Sequence, residues 1–249
     1  MNTRFLFSLA IMICYVLNAS AQFSNSGRSN ATISDNSGWN TIYVEWNPST
    51  MSFSGKNKDK IDFYGGFTGF SIGYSRSILI TSNLPLFVEA GVAGQFSYKS
   101  ETKSSDYYDE STNLSFISLK LPVNLMYKLN ISNSQVSLLP FVGVTFRGNV
   151  WGKMKWKEYD NYYEEYDDFS SSLFDEDMGY LVGYHIQDDE DDYDENDYIW
   201  KRFQIGWQAG LKAYIANKFV VGGSYGIDFN RITKNYKVRT ATISFGYTF

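Results

Sequence analysis

The chain has 249 residues and a formal net charge of −5, with 20 Tyr, 19 Phe, 6 Trp and 20 Gly but only 4 Pro, 1 His and 1 Cys. An acidic balance without basic patches excludes a nucleic-acid partner, and a single His leaves little for general acid–base work near neutrality. After the amino-terminal stretch no segment approaches about 18 consecutive apolar residues, which excludes a helical membrane span.

In chain order, Met1–Arg4 is a short positive region, Phe5–Leu17 is apolar, and Ala19-Ser20-Ala21 fits the small-x-small cleavage rule. Residues 1–21 therefore read as a signal peptide, with the mature chain starting at Gln22. Cys14 follows the bulky Ile13 rather than a small residue, which argues against a lipoprotein signal. Without the signal no cysteine is left, so the mature chain has neither disulfides nor thiolate metal sites. Polar residues 22–38 form a flexible tail or a short plug, and 39–249 are enough for one domain.

Eight segments alternate with period two, the strand signature. The first, Asn40–Trp46, opposes Ile42, Val44 and Trp46 to Tyr43 and Glu45. The second, Phe63–Ile78, is blurred by glycines, so its facing is open. The third, Leu84–Tyr98, and the fourth, Leu114–Leu129, set Val88, Phe96, Ile117 and Leu125 against Glu89, Gln95, Lys120 and Asn124. The fifth is Gln135–Gly148, and the sixth is the cleanest: Phe203 to Ile215 apolar at odd positions, with Arg202 to Tyr214 on the other phase. The seventh is Lys218–Asn230. The eighth closes the chain, with apolar or aromatic residues at odd positions from Ala241 to Phe249 and Gly, Ser or Thr between them.

Most of these runs exceed the roughly 9–11 residues a tilted strand needs to cross a bilayer. Connections two–three, four–five and six–seven are short, whereas one–two, three–four and five–six are longer; seven–eight is barely longer than the short set. Short periplasmic turns and long outer loops are the asymmetry of outer-membrane barrels. A soluble lipocalin-like calyx also has eight alternating strands, but its outer face needs long polar chains. The polar face here is mostly Gly, Ser, Thr, Asn and Gln, which suits a narrow filled lumen. The expected fold is all-β: an eight-stranded antiparallel transmembrane β-barrel with long extracellular loops, in the outer membrane of a Gram-negative cell.

The segment Phe116-Ile117-Ser118-Leu119-Lys120-Leu121-Pro122-Val123-Asn124-Leu125-Met126-Tyr127 resembles the leucine–proline–x–x–leucine–x–tyrosine strand of the outer-membrane β-barrel domain family, a PorT-like group. Leu139-Pro140-Phe141-Val142-Gly143-Val144 and Gly246-Tyr247-Thr248-Phe249 are similar to its next and last strands. The resemblance covers 39–249 and implies a small barrel of generally unassigned function. PorT itself is linked to a secretion system, which the resemblance carries over only as an option. Proline cannot donate to a ladder, so the resemblance implies a bulge or gap at Pro122.

An insertion of about 150–201 separates strands five and six. From Glu158 to Asp197 there are 17 acidic residues and no Lys or Arg, leaving the rest of the chain at net +12. The bland reading is a solvated, self-repelling surface loop, an appendage on which the wall does not depend. The sharper one is Ca²⁺ or Mg²⁺ shared among Asp188, Asp189, Asp191, Asp192 and Asp194 at the lipopolysaccharide surface, although no EF-hand glycine is present. Interleaved tyrosines argue against pure disorder. The only His, His185, lies in this insertion, so no catalytic group is assigned and no cofactor is expected beyond such a surface cation.

Glu45, Glu89, Lys120, Arg147, Arg202, Lys212 and Asp228 fall on inward phases. In an eight-stranded barrel they either pair as a structural core or gate a narrow pore. Phe249 reads as the signal for the barrel-insertion machinery. Two functions stay open: a non-enzymatic envelope barrel serving structure, surface interaction, or transport or secretion as an accessory, and a narrow pore for small solutes. Membrane lipid and lipopolysaccharide are the expected surroundings, with any surface or secretion partner unknown.

Overall fold

The structure, a computed structural model, describes residues 38–53, 66–81, 84–105, 108–131, 135–160, 165–177, 199–216, 218–234 and 236–249. The expected signal peptide, nearly all of the polar tail, His185 and the run 188–197 lie outside the described residues. Ten strands form one antiparallel sheet: β1 (Gly38–Phe53), β2 (Gly66–Thr81), β3 (Leu84–Ser104), β4 (Tyr108–Tyr127), β5 (Leu129–Asn130), β6 (Val136–Asp160), β7 (Glu165–Ser172), β8 (Phe203–Ile215), β9 (Phe219–Asp228) and β10 (Tyr236–Thr248). Eight of them close into a ring in the order β4-β3-β2-β1-β10-β9-β8-β6, sealed by the β4–β6 pair.

Following the pairing once round the ring gives its geometry. Asn40 lies opposite Arg76, then come Ala90, Val123, Val144, Trp207, Ile227 and Arg239, and the path returns to β1 at Thr50. That return is ten residues up the strand. With about 3.3 Å per residue and 4.7 Å between strands, this stagger tilts the strands by roughly 40°. The first and last strands complete the closure: the Asn40 amide donates to Phe249 O at 3.2 Å and the Phe249 amide to Asn40 O at 3.1 Å.

Chemistry along the outer wall matches the expected phases. Ile42, Val44 and Trp46 are exposed on β1, as are Phe70 and Ile72 on β2, Ile117, Val123 and Leu125 on β4, and Ile243, Phe245 and Tyr247 on β10. Toward the end that carries the short turns and both paired termini, the band finishes on Tyr127, Phe219 and Tyr247; toward the other, the loop end, it finishes on Trp46, Tyr98, Trp151 and Tyr225. Aromatic girdles bounding an apolar band are the mark of a membrane wall.

Pro122 has the expected effect. It pairs with Thr145 of β6, but the β3–β4 ladder lacks partners for Leu121 and Pro122 and resumes at Lys120 without a register shift. The missing N–H opens a gap rather than a bulge.

Two features differ from the sequence reading. The fifth expected strand does not stop at Gly148: β6 runs on to Asp160 and folds back as β7, pairing Lys153 with Ser172 and Asp160 with Glu165. At Val150 it carries a bulge, because Ile117 faces Trp151 while Ser118 faces Asn149. One extra residue reverses the facing of everything beyond it. Arg147 and Asn149 point inward before the bulge; Gly152, Met154 and Trp156 point inward after it.

The second difference concerns the insertion as an appendage. Leu173 is fully buried, its amide donates to Gly152 O at 3.2 Å, and the Trp200 amide donates to Leu173 O at 2.9 Å. Both feet of the insertion are therefore part of the fold. They join Met51, Phe67, Leu114, Phe116, Met154, Trp156, Ile232, Tyr236 and Val238 in an apolar cluster that fills the barrel at the loop end. Gly152 leaves the room that Leu173 fills: a Cβ there would stand 2.6 Å from Leu173 Cδ1, so the leucine would have to shift.

Candidate functional site

The interior is where a pore, a catalytic centre or a structural core would lie. At mid-height the inward residues form three ion pairs, each joining strands that are not neighbours in the ring. Lys120 Nζ of β4 meets Glu45 Oε2 of β1 at 2.7 Å, Lys212 Nζ of β8 meets Glu89 Oε1 of β3 at 2.5 Å, and Arg147 of β6 spans both carboxylate oxygens of Asp228 of β9 at 3.3 and 3.4 Å. Cross-strand reach of this kind staples the walls through the lumen.

Neutral polar groups complete the layer. Asn124 Nδ2 donates to Glu89 Oε1 at 2.9 Å and receives Gln208 Nε2 on its Oδ1 at 2.7 Å. Asn47 Nδ2 donates to Ser71 Oγ at 2.6 Å, and Thr242 Oγ1 donates to Asn47 Oδ1 at 3.0 Å. Nearer the loop end, Ser118 Oγ and Asn149 Oδ1 are 2.8 Å apart, and Asn149 Nδ2 donates to Gln204 Oε1 at 2.6 Å. The free space these side chains leave is about 40 Å³, room for roughly two or three waters.

Both ends of this layer are closed by apolar groups. At the turn end Trp39 lies 4.8 Å from the ring of Phe87 and is stacked 5.2 Å from Tyr214, with the Lys128 ammonium 5.6 Å above it. Phe87, Met126 and Phe141 on one side and Leu139, Tyr214 and Val220 on the other pack around it. At the loop end stands the apolar cluster already described. Among the described residues, the polar layer is thus bounded by packed apolar side chains at both ends.

Of the seven charges expected inside, Glu45, Glu89, Lys120, Arg147, Lys212 and Asp228 occupy the lumen. Arg202 does not. Its neighbour Lys201 donates its amide to Ile232 O at 2.7 Å as the chain bends into the cap, and β8 begins only at Phe203. Arg202 is exposed at the rim, its guanidinium 4.1 Å from the ring of Phe174 and its Nη1 3.4 Å from Val150 O. Among the described residues no three His, Cys, Asp or Glu side chains gather as a metal site; Asp188, Asp189, Asp191, Asp192 and Asp194 lie outside those residues. Phe249 points outward, 63 % exposed, at the seam between the first and last strands.

Sequence reasoning missed the Trp39 plug, although its signal was present: position 39 continues the inward phase of 41, 43 and 45. It also missed the outer face of β6 above the bulge, where Lys153, Lys155 and Lys157 alternate with inward Met154 and Trp156.

A model of the outer membrane protein beta-barrel domain matches residues 10–249. The chain belongs to that family. It is an outer-membrane protein, and the closed ring with its apolar outer band is the family's barrel. A search of curated proteins finds no match. Among solved structures, Ail of Yersinia pestis is 17 % identical, covering 86 % of this chain and 99 % of its own at a TM-score of 0.39. Neisserial surface protein A is 13 % identical (84 % and 95 % covered, TM-score 0.36), and the outer membrane enzyme PagL is 8 % identical (82 % and 97 %, TM-score 0.39). Likeness at this level carries no argument about what the chain does.

Proposed function

We propose that this protein is a non-conducting, non-enzymatic barrel that acts through its exterior, in envelope structure, surface interaction or as an accessory to a transport or secretion machine. One observation carries the reading: the lumen is filled at three levels, by the Trp39 plug, the three cross-barrel ion pairs and the apolar cap. The inward carboxylates Glu45, Glu89 and Asp228 are engaged with the inward cations Lys120, Lys212 and Arg147 rather than aimed at a substrate space. Outer-membrane barrels place long loops outside, which sets the cap and the acidic insertion at the cell surface and the Trp39 plug at the periplasm. The mature chain starts at Gln22 in this reading, which amino-terminal sequencing of membrane-extracted protein checks.

The deciding experiment is single-channel recording in planar bilayers with refolded, heat-modifiable protein. The expected result is a flat trace at voltages that leave the bilayer intact. Steady conductance steps would remove the closed-lumen reading in favour of a narrow pore.

A further inference from the structure

The outer face of β6 above Val150 presents Trp151, Lys153 and Lys155 in succession, all exposed. They face outward only because the bulge reverses the strand; without it the lysines would enter the apolar cluster and Met154 and Trp156 would face out. Beside Lys153 in the register stand Ser115 of β4 and Ser172 of β7, and beside Lys155 stand Asn113 and Ser170. Every flanking outward position is thus an uncharged hydrogen-bonding group. No ion pair engages Lys153 or Lys155 among the described residues, whereas Lys157, farther from the membrane, meets Asp168 at 3.6 Å. Arg202 adds a third cation, held against Val150 O beside Trp151.

Height selects the occupant. Trp151 is at the loop-end edge of the apolar band. Each further outward residue lies about 6.6 Å along a strand tilted by roughly 40°, so Lys153 and Lys155 stand on the order of 5 and 10 Å beyond that edge. The headgroup layer of a bilayer occupies about 5–7 Å outside the hydrocarbon. Lys153 stands within that layer and Lys155 a few ångströms above it, where its long side chain turned toward the leaflet still reaches the phosphate level. Charge-assisted contacts from ammonium and guanidinium groups to phosphate are the strong kind, and the neighbouring hydroxyls supply further donors.

We propose that Lys153 and Lys155, with Arg202, form a docking surface for the phosphorylated headgroup of an outer-leaflet glycolipid of the lipid A type. The proposal rests on the outer-membrane placement of the barrel and is independent of whether its lumen conducts.

The test uses the full mature protein in phosphatidylcholine nanodiscs containing either bisphosphorylated lipid A or the same lipid with both phosphates removed, with retained glycolipid counted by native mass spectrometry. Wild type should retain the phosphorylated form at least tenfold over the dephosphorylated one, and the preference should fall as salt is raised. K153S/K155S should lose most of that preference while staying heat-modifiable on gels. K237S/R239S, which removes two cations from the opposite wall, should keep it. Equal retention of both lipids, or equal loss in the two double variants, overturns the proposal. So does binding that appears only after residues 178–198 are replaced by a short turn, since the occupant would then be the chain's own acidic run. If K153S/K155S does not insert, the single changes K153Q and K155Q carry the same comparison.

Discussion

The barrel is built twice over, in opposite senses, along the same strands. At membrane level β4 faces Ile117 and Leu119 outward and Ser118 and Lys120 inward; a few residues higher it faces Ser115 and Asn113 outward and Phe116 and Leu114 inward. On β10 the outward series runs Tyr247, Phe245, Ile243, Ala241 and then Arg239 and Lys237, while the inward series passes from Ser244 and Thr242 to Val238 and Tyr236. On β1 Met51 turns inward where Glu45 and Asn47 did below. Lipid is apolar and wets the outer wall, so the polar side must be inside; water wets the loop end, so the apolar side must be inside there. The loop end is in effect a small water-soluble β-domain standing on a membrane barrel. It can have an apolar core because the feet of the insertion, Leu173 and Trp200, roof it.

The contrast breaks first at the roof. Trp200→Ala removes a buried indole from the loop-end core and should cost about 3–5 kcal/mol, read by urea unfolding in lipid vesicles. Replacing residues 178–198 by a short turn should leave that stability within about 1 kcal/mol, whereas a deletion of 158–198, which takes Leu173, β7 and the end of β6, should unroof the barrel and cost about as much as Trp200→Ala. Equal tolerance of both deletions would make the roof dispensable.

At mid-height the forces are electrostatic. Arg147→Met strands Asp228 in the lumen and should cost about 3 kcal/mol, while Arg147→Met with Asp228→Leu should recover most of that loss. A double variant as unstable as the single would mean that the pair is not the source of the effect.

The outer wall offers the sharpest comparison, since one strand and one face are tested in two solvents. Val44→Lys should cost about 2–4 kcal/mol and Thr50→Lys about 0–1, because lipid surrounds the first and the interface the second. Similar costs would erase the boundary drawn at Trp46. The smallest effect belongs to a turn: Ala216 has φ = 51°, a left-handed conformation disfavoured for any residue with a Cβ, so Ala216→Gly should stabilise by about 0.5–1 kcal/mol.

Within the membrane the fold was legible because period two and a uniform solvent make facing a matter of counting. The six paired lumen charges were found this way, and so was the Pro122 gap. Arg202 went astray because counting assumes the strand continues, and the backbone leaves it for the roof. The loop end was opaque for a different reason. Beyond Gly148 the alternation persists, as Lys-Met-Lys-Trp-Lys shows, but its sense is inverted and its register slipped by the bulge at Val150. A reader carrying the membrane rule upward sees lysines where the wall should be greasy and ends the strand. Charge density misled as well, because the acids of 158–177 surround the buried anchor Leu173.

The backbone pair between Asn40 and Phe249 has a bearing on when this molecule takes shape. The contact that closes the ring joins β1 to β10, strands separated by almost all of the barrel sequence, and it cannot form without β10. A chain without β10 in place cannot close; it offers two unpaired strand edges and an apolar outer face. Closure is therefore deferred until β10 reaches β1, and until then the edge of β1 stays unpaired. Slow, late, all-at-once closure is the kinetic signature of this seam, and a variant altered only at its two ends would change the rate of assembly far more than the shape assembled.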